Sequence, residues 1–142
     1  DLLRSIKTIQ CQIISYDITF RSHPGQVLKN EANQIGIKNS YEKELVKDIN
    51  RNDLIIISGS SSVALEVLFL NMPLIVFFSN NKLNLSPLSD FKEIQFVSTP
   101  KNLLESIIRS KHNKKIVKKN SLYLDKELTY WKANLKKIFH EK

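Results

Sequence analysis

Two short segments of this 142-residue chain carry residue types suited to holding a phosphate. Ser58-Gly59-Ser60-Ser61-Ser62 sets four serines and a glycine into five positions. Serine hydroxyls are short hydrogen-bond donors, and Gly59 lets the backbone approach a ligand closely. Arg21-Ser22-His23-Pro24-Gly25 is the second segment. An imidazole can donate to a phosphate oxygen, a guanidinium can fork onto one, and Pro24 fixes the turn that aims His23. Each segment also has a plainer reading. One serine would cap a helix while the others fill a loop, and a lone histidine in a turn is commonly a surface residue. Glu66 follows Ser62 by one helical turn, on the face above the serine run. Its carboxylate could accept from ribose hydroxyls, or pair with a Lys or Arg. Amid Val63, Ala64, Leu65 and Val67 it is expected to need a partner of some kind.

These residues need elements to position them. Asp53–Ser58 is a continuous apolar run, which predicts a strand buried on both faces as in a parallel sheet. Val63–Asn71 predicts a mostly buried helix, ended by Met72-Pro73. Leu74–Phe78 reads as another buried strand, Ser79–Asp90 as a polar loop and Ile94–Val97 as a short strand. Ser98-Thr99-Pro100 is a helix start, and Leu103, Leu104, Ile107 and Ile108 form that helix's apolar stripe. Upstream, Leu2, Leu3, Ile6 and Ile9 predict a helix over residues 2–10. Ile14, Tyr16, Ile18 and Phe20 alternate with polar residues, predicting a strand that stops at His23-Pro24-Gly25. A weaker strand is expected around Gln34–Lys38, and a helix over Tyr41–Ile49 with Ser40 as its cap. This order predicts an α/β fold: a Rossmann-like parallel sheet with helices on both faces, as a single domain. Both candidate segments would then lie past the C-terminal ends of strands, where open α/β sheets take ligands. Amides opening the helix after the serine run would point into that crevice and favour an anion.

Composition narrows the alternatives. Hydrophobic residues make up 42% and charged residues 25%, the balance of an ordinary globular chain. A single cysteine excludes a disulfide framework and a multi-cysteine zinc site, and Cys11 is expected to be packed. The apolar runs are too short to span a bilayer. Neither GxxxxGK[ST] nor GxGxxG is present, no acids pair for general acid/base work, and no metal site is expected. His112 and His140 lie in basic helical segments and are given no role. The net charge of +8 is uneven: residues 1–100 hold ten basic and ten acidic residues, residues 101–142 twelve and four. The charge therefore divides the chain into an α/β domain over 1–110, which the two candidate segments would make a nucleotide-binding one, and a basic helical extension over 111–142. Leu124, Leu128, Trp131, Leu135 and Ile138 make that extension a long C-terminal amphipathic helix, expected to pack on the domain. A cytoplasmic setting is expected, with peripheral contact at the inner face of the membrane open to the basic tail. Aromatics are few there, so nucleic acid is not the expected partner.

Taken in order, Arg21-x-His23-Pro24, then Asp53-x-Ile55-Ile56-x-Ser58-x-Ser60-Ser61-Ser62-x-Ala64-x-Glu66, then the Pro73-Leu-Ile-Val76 strand resemble the donor-binding, C-terminal half of GT-B glycosyltransferases. The similarity is to bacterial surface-polysaccharide enzymes: capsule and lipopolysaccharide transferases, and sialyltransferases that use CMP-sugars. It covers residues 13–110, and more loosely a tail containing Leu122-Tyr-Leu-Asp125 and Trp131. The resemblance implies that His23 and Ser60–Ser62 grip the donor phosphates, with Glu66 near the ribose. It implies a nucleotide-sugar as substrate, CMP- or UDP-linked, with no cofactor and no metal. It also implies a catalytic base in an N-terminal acceptor domain of the full-length protein, which the sequence starting at Asp1 lacks. The chain alone is then expected to bind weakly and not to turn over. Alternatives are a polyol-phosphate transferase, a sugar-nucleotide epimerase-like domain, or a non-catalytic interaction domain that keeps the fold.

Overall fold

The computed structural model describes residues 1–23, 29–59, 61–79, 86, 88–89, 91 and 94–112. Pro24, Ser60 and the extension beyond residue 112 lie outside the described residues. In chain order the elements are α1 (Leu2–Ile9), a 3-10 turn (Gln10–Gln12), β1 (Thr19–Phe20), α2 (Lys29–Gln34), β2 (Lys38–Asn39), α3 (Leu45–Asn50), β3 (Ile55–Ser58), α4 (Val63–Phe69), β4 (Leu74–Phe77), β5 (Gln95–Val97) and α5 (Pro100–His112).

Every described strand pairing is parallel. β1 pairs with β2, and β3-β4-β5 form a second ladder with β4 in the middle. β4 is buried along its whole length, and its side chains alternate between two cores. Ile75 and Phe77 pack with Ile6, Ile9 and Ile13 and with Leu103 and Ile107 of α5, and Leu54, Ile56, Ile18 and Phe20 join them. Leu74 and Val76 pack with Ile57, with Ala64, Val67 and Leu68 of α4, and with Ile49 of α3. One face thus carries α1 and α5, which pack on each other, and the other carries α3 and α4. This is the expected α/β class, with parallel pairing and helices on both faces of β3-β4-β5, but the strands form two separate ladders where one sheet was expected. Among the described residues, no helix is long and apolar enough to cross a membrane.

The helices of the two β-α-β units end alike. After α2, the Gly36 amide donates to the Asn33 carbonyl and the Ile37 amide to the Ala32 carbonyl, with Gly36 at φ 74°. After α4, the Asn71 amide donates to the Leu68 carbonyl and the Met72 amide to the Val67 carbonyl, with Asn71 at φ 57°. Both are Schellman closures, which satisfy the last carbonyls through a left-handed residue. At the start of α5, Thr99 Oγ1 accepts from the Asn102 amide at 3.2 Å, the expected cap ahead of Pro100.

Several local expectations are corrected. The strand expected from Ile14 is only Thr19–Phe20. The Ile13 amide donates to the Gln10 carbonyl and the Tyr16 amide to the Ile13 carbonyl, so the chain is still turning there. Ile13 takes the core position, and Ile14 is left 86% exposed. Cys11 is exposed rather than packed, because it sits in the 3-10 turn, none of whose residues is buried. The segment expected as a weak strand at 34–38 begins as the end of α2, and pairing starts only at Lys38. α3 begins at Leu45, not Tyr41, which is 93% exposed. The turn before α3 is held locally instead, by Glu42 Oε1 accepting from the Lys43 and Glu44 amides at 3.0 and 3.4 Å. The polar loop after β4 is not wholly wet: Ser86 and Leu88 are buried within it.

Candidate functional site

β3 delivers the serine run to the C-terminal edge of its ladder. The Gly59 amide continues the pairing by donating to the Phe77 carbonyl at 2.8 Å, and Phe78 does the same to Val97 at 2.9 Å. Gly59 is buried against the start of the loop after β4, and a β-carbon there would meet the Phe78 β-carbon at 2.9 Å. That approach requires glycine, although its φ lies outside the left-handed range.

The serines then separate by role. Ser61 is the cap: its Oγ accepts from the Val63 amide at 3.3 Å and its carbonyl from the Ala64 amide at 3.2 Å. The Ser61 amide in turn donates to the Ser58 carbonyl, and the Leu65 amide to the Ser62 carbonyl. The expectation of free amides opening α4 is therefore corrected for Ser61, Val63, Ala64 and Leu65. They close a tight first turn on the chain itself. Ser58 and Ser62 differ from Ser61: both are exposed, and no side-chain hydrogen bond ties either hydroxyl to another described residue. Ser62, Glu66 and Phe69 form the exposed stripe of α4, while Ala64, Val67 and Leu68 face the core. Glu66 is thus on the face expected of it. It does not suffer the burial that was expected to demand a partner, because its carboxylate meets water.

Arg21 follows β1 directly and turns toward α3. Its Nη1 donates to the Glu42 carbonyl at 2.7 Å and to Asp48 Oδ2 at 3.0 Å, and its Nη2 to the Lys43 carbonyl at 3.1 Å. Asp48 is mostly buried, and its other oxygen accepts from Ser40 Oγ at 2.7 Å. The Ser40 amide returns to the Phe20 carbonyl at 2.7 Å. This network binds together the chain ends leaving β1 and β2 and the start of α3. From the sequence Arg21 reads as a phosphate fork and Ser40 as a helix cap, with no role for Asp48; the structure instead joins all three. The signal available was Asp48 at the fourth position of a short amphipathic helix, too weak alone to name its partner. His23 lies two residues beyond Arg21 and is exposed.

The two groups lie on separate ladders. Arg21 follows β1, which pairs with β2, and the serine run follows β3, which pairs with β4, so no backbone pairing among the described residues makes β1 and β3 neighbours. No hydrogen bond or ion pair between described residues joins Arg21 to the serine run; its partners are Glu42, Lys43 and Asp48. Comparison of the chain with protein-family models, with curated proteins and with solved structures finds no match.

Proposed function

We propose that this chain is the donor-binding half of a metal-independent glycosyltransferase of bacterial surface-polysaccharide type, taking a CMP- or UDP-linked sugar. The observation that supports this reading is the position of two polar segments. Arg21–His23 follows β1 of one parallel ladder, and the serine run begins at Ser58, the last residue of β3 in the other; the C-terminal ends of parallel strands are the usual ligand edge of such folds. At that edge the Ser58 and Ser62 hydroxyls and the His23 imidazole supply donors for the phosphate. Charge developing on a leaving phosphate is stabilised by such fixed donors, in proportion to how little they must reorganise. Glu66, one turn along the exposed stripe from Ser62, is an acceptor suited to ribose hydroxyls rather than to phosphate.

The test is a thermal-shift panel of CMP, CDP, UMP, UDP, GDP and ADP on the chain and on His23→Ala and Ser62→Ala. A ligand that binds only the folded state raises the melting point, by about 2.7 kcal/mol of stability at a hundredfold excess over Kd. A rise with a cytidine or uridine nucleotide, lost in both variants, supports the reading. A rise that survives both moves the site elsewhere, and no rise with any nucleotide sinks it.

A second reading is favoured by one specific observation. Four amides around the α4 start and three donor interactions of Arg21 are satisfied within the chain, leaving fewer donors than a phosphate cradle commonly offers. A non-catalytic interaction domain that keeps the fold accounts for that economy. The same panel discriminates, since this reading expects no nucleotide to shift the melting point.

A further inference from the structure

We infer that Arg21 and Asp48 are a positioning pair that fixes the stem on which His23 approaches the sheet edge, and are not ligand contacts. The inference rests on the reading above that His23 meets the phosphate. The geometry that points to it is the double attachment of one carboxylate. Asp48 Oδ2 holds Arg21 on the segment leaving β1, and Asp48 Oδ1 holds Ser40 on the segment leaving β2. Arg21 is fastened at two further points, the carbonyls of Glu42 and Lys43. The Ser40 amide closes the ring on the Phe20 carbonyl, one residue before Arg21. β1 itself has two residues, Thr19 and Phe20, so ladder pairing alone gives the segment beyond it little support. Ser22 and His23 therefore leave from a backbone whose direction this ring sets. Glu42, whose carbonyl takes part, is itself held by Arg51 Nη1 at 2.8 Å. A guanidinium with its fork engaged in this way orients its neighbour instead of reaching for an anion.

The pair is tested by backbone 15N relaxation on the whole chain, comparing wild type with Asp48→Asn, Arg21→Lys and Ser40→Ala. Wild-type order parameters at Ser22 and His23 are expected near those of Ile75 in β4, about 0.85, the range of rigid backbone. Asp48→Asn should lower Ser22 and His23 to below roughly 0.6, the flexible range, and leave Ile75 unchanged. Arg21→Lys, which keeps the charge and loses the fork, should fall between. Ser40→Ala keeps both charges and serves if Asp48→Asn does not fold; it should loosen the same two residues. Unchanged order at Ser22 and His23, or an equal loss at Ile75, overturns the inference. A binding arm uses CMP and UDP as probes. If either binds wild type, Asp48→Asn should weaken it about tenfold, and should add little once His23 is Ala, since coupled residues are non-additive. Full additivity overturns the pair as a positioning device. If neither probe binds wild type, the donor reading fails while the relaxation result still decides the pair.

Discussion

Gly59 and Phe78 stand back to back across β3 and β4, so close that a β-carbon on Gly59 would lie 2.9 Å from the β-carbon of Phe78. The contact holds the end of β3 against the end of β4, at the second residue of the candidate serine run. Phe78 is in turn edge-on to Phe96, with ring centroids 6.2 Å apart. Phe78 is therefore packed against a second ring, which limits how far it can yield. Gly59→Ala should cost about 1–3 kcal/mol, the usual scale of overpacking. Urea unfolding is the check: the midpoint falls while the slope stays constant. An unchanged midpoint would show that Phe78 gives way freely.

The two serines at the start of α4 should behave differently. Ser61→Ala removes the cap on the Val63 amide and should cost about 1 kcal/mol. Ser62→Ala removes an exposed hydroxyl with no cap bond and should stay within about 0.5 kcal/mol. Paired unfolding curves decide this, and a larger loss in Ser62→Ala would reverse the assignment of roles. The same asymmetry makes Ser62 the better probe of ligand binding, because its loss of affinity would not be confounded by loss of fold.

Asn71 closes α4 with a left-handed backbone, at φ 57°. Asn71→Val should destabilise by about 1–2 kcal/mol, since a β-branched side chain there crowds the following carbonyl. Asn71→Gly should be neutral or slightly stabilising, because glycine meets no such penalty. Melting temperatures of the two variants test the pair, and equal values would mean that the closure does not limit stability.

Two isoleucines near the expected first strand and in β4 provide the core contrast. Ile75 is fully buried at the centre of the sheet, and Ile75→Ala should cost about 2–5 kcal/mol. Ile14 is exposed, and Ile14→Ala should change stability by less than about 0.5 kcal/mol. A large loss on Ile14→Ala, read from chemical unfolding, would restore Ile14 to a core strand and contradict the turn after the 3-10 segment.

Much of the fold was legible because its signals are local. The apolar run through Ile55–Ile57 and the run Leu74–Phe77 read as buried strands, and they pair in parallel register. Thr99-Pro100 marked the start of α5, and Met72-Pro73 the end of α4, each through residues within one turn of the boundary. Failures came where local patterns compete. Apolar alternation from Ile14 to Phe20 predicted one long strand, but a helical segment running into Ile13 used the first part of that stretch for a turn. Ser40 looked like a cap for a helix at Tyr41, yet its hydroxyl is committed to Asp48 eight residues away.

The sequence by itself determined the alternation of strands and helices, the two-sided burial of β4, and the polar character of the segments after β1 and β3. These depend on periodicity and capping, which act over a few residues. β3, expected to be buried on both faces, is only partly buried at Ile55 and Ile56. Only the tertiary structure decided what each polar group in those segments touches. Arg21 finds Asp48 across 27 residues of chain, Ser61 caps while Ser62 faces water, and Gly59 is required by Phe78 on the neighbouring strand. A donor's residue type states what it can bind. Which acceptor it meets depends on distant segments brought together by the packing of two apolar cores, and that packing is set by the chain as a whole.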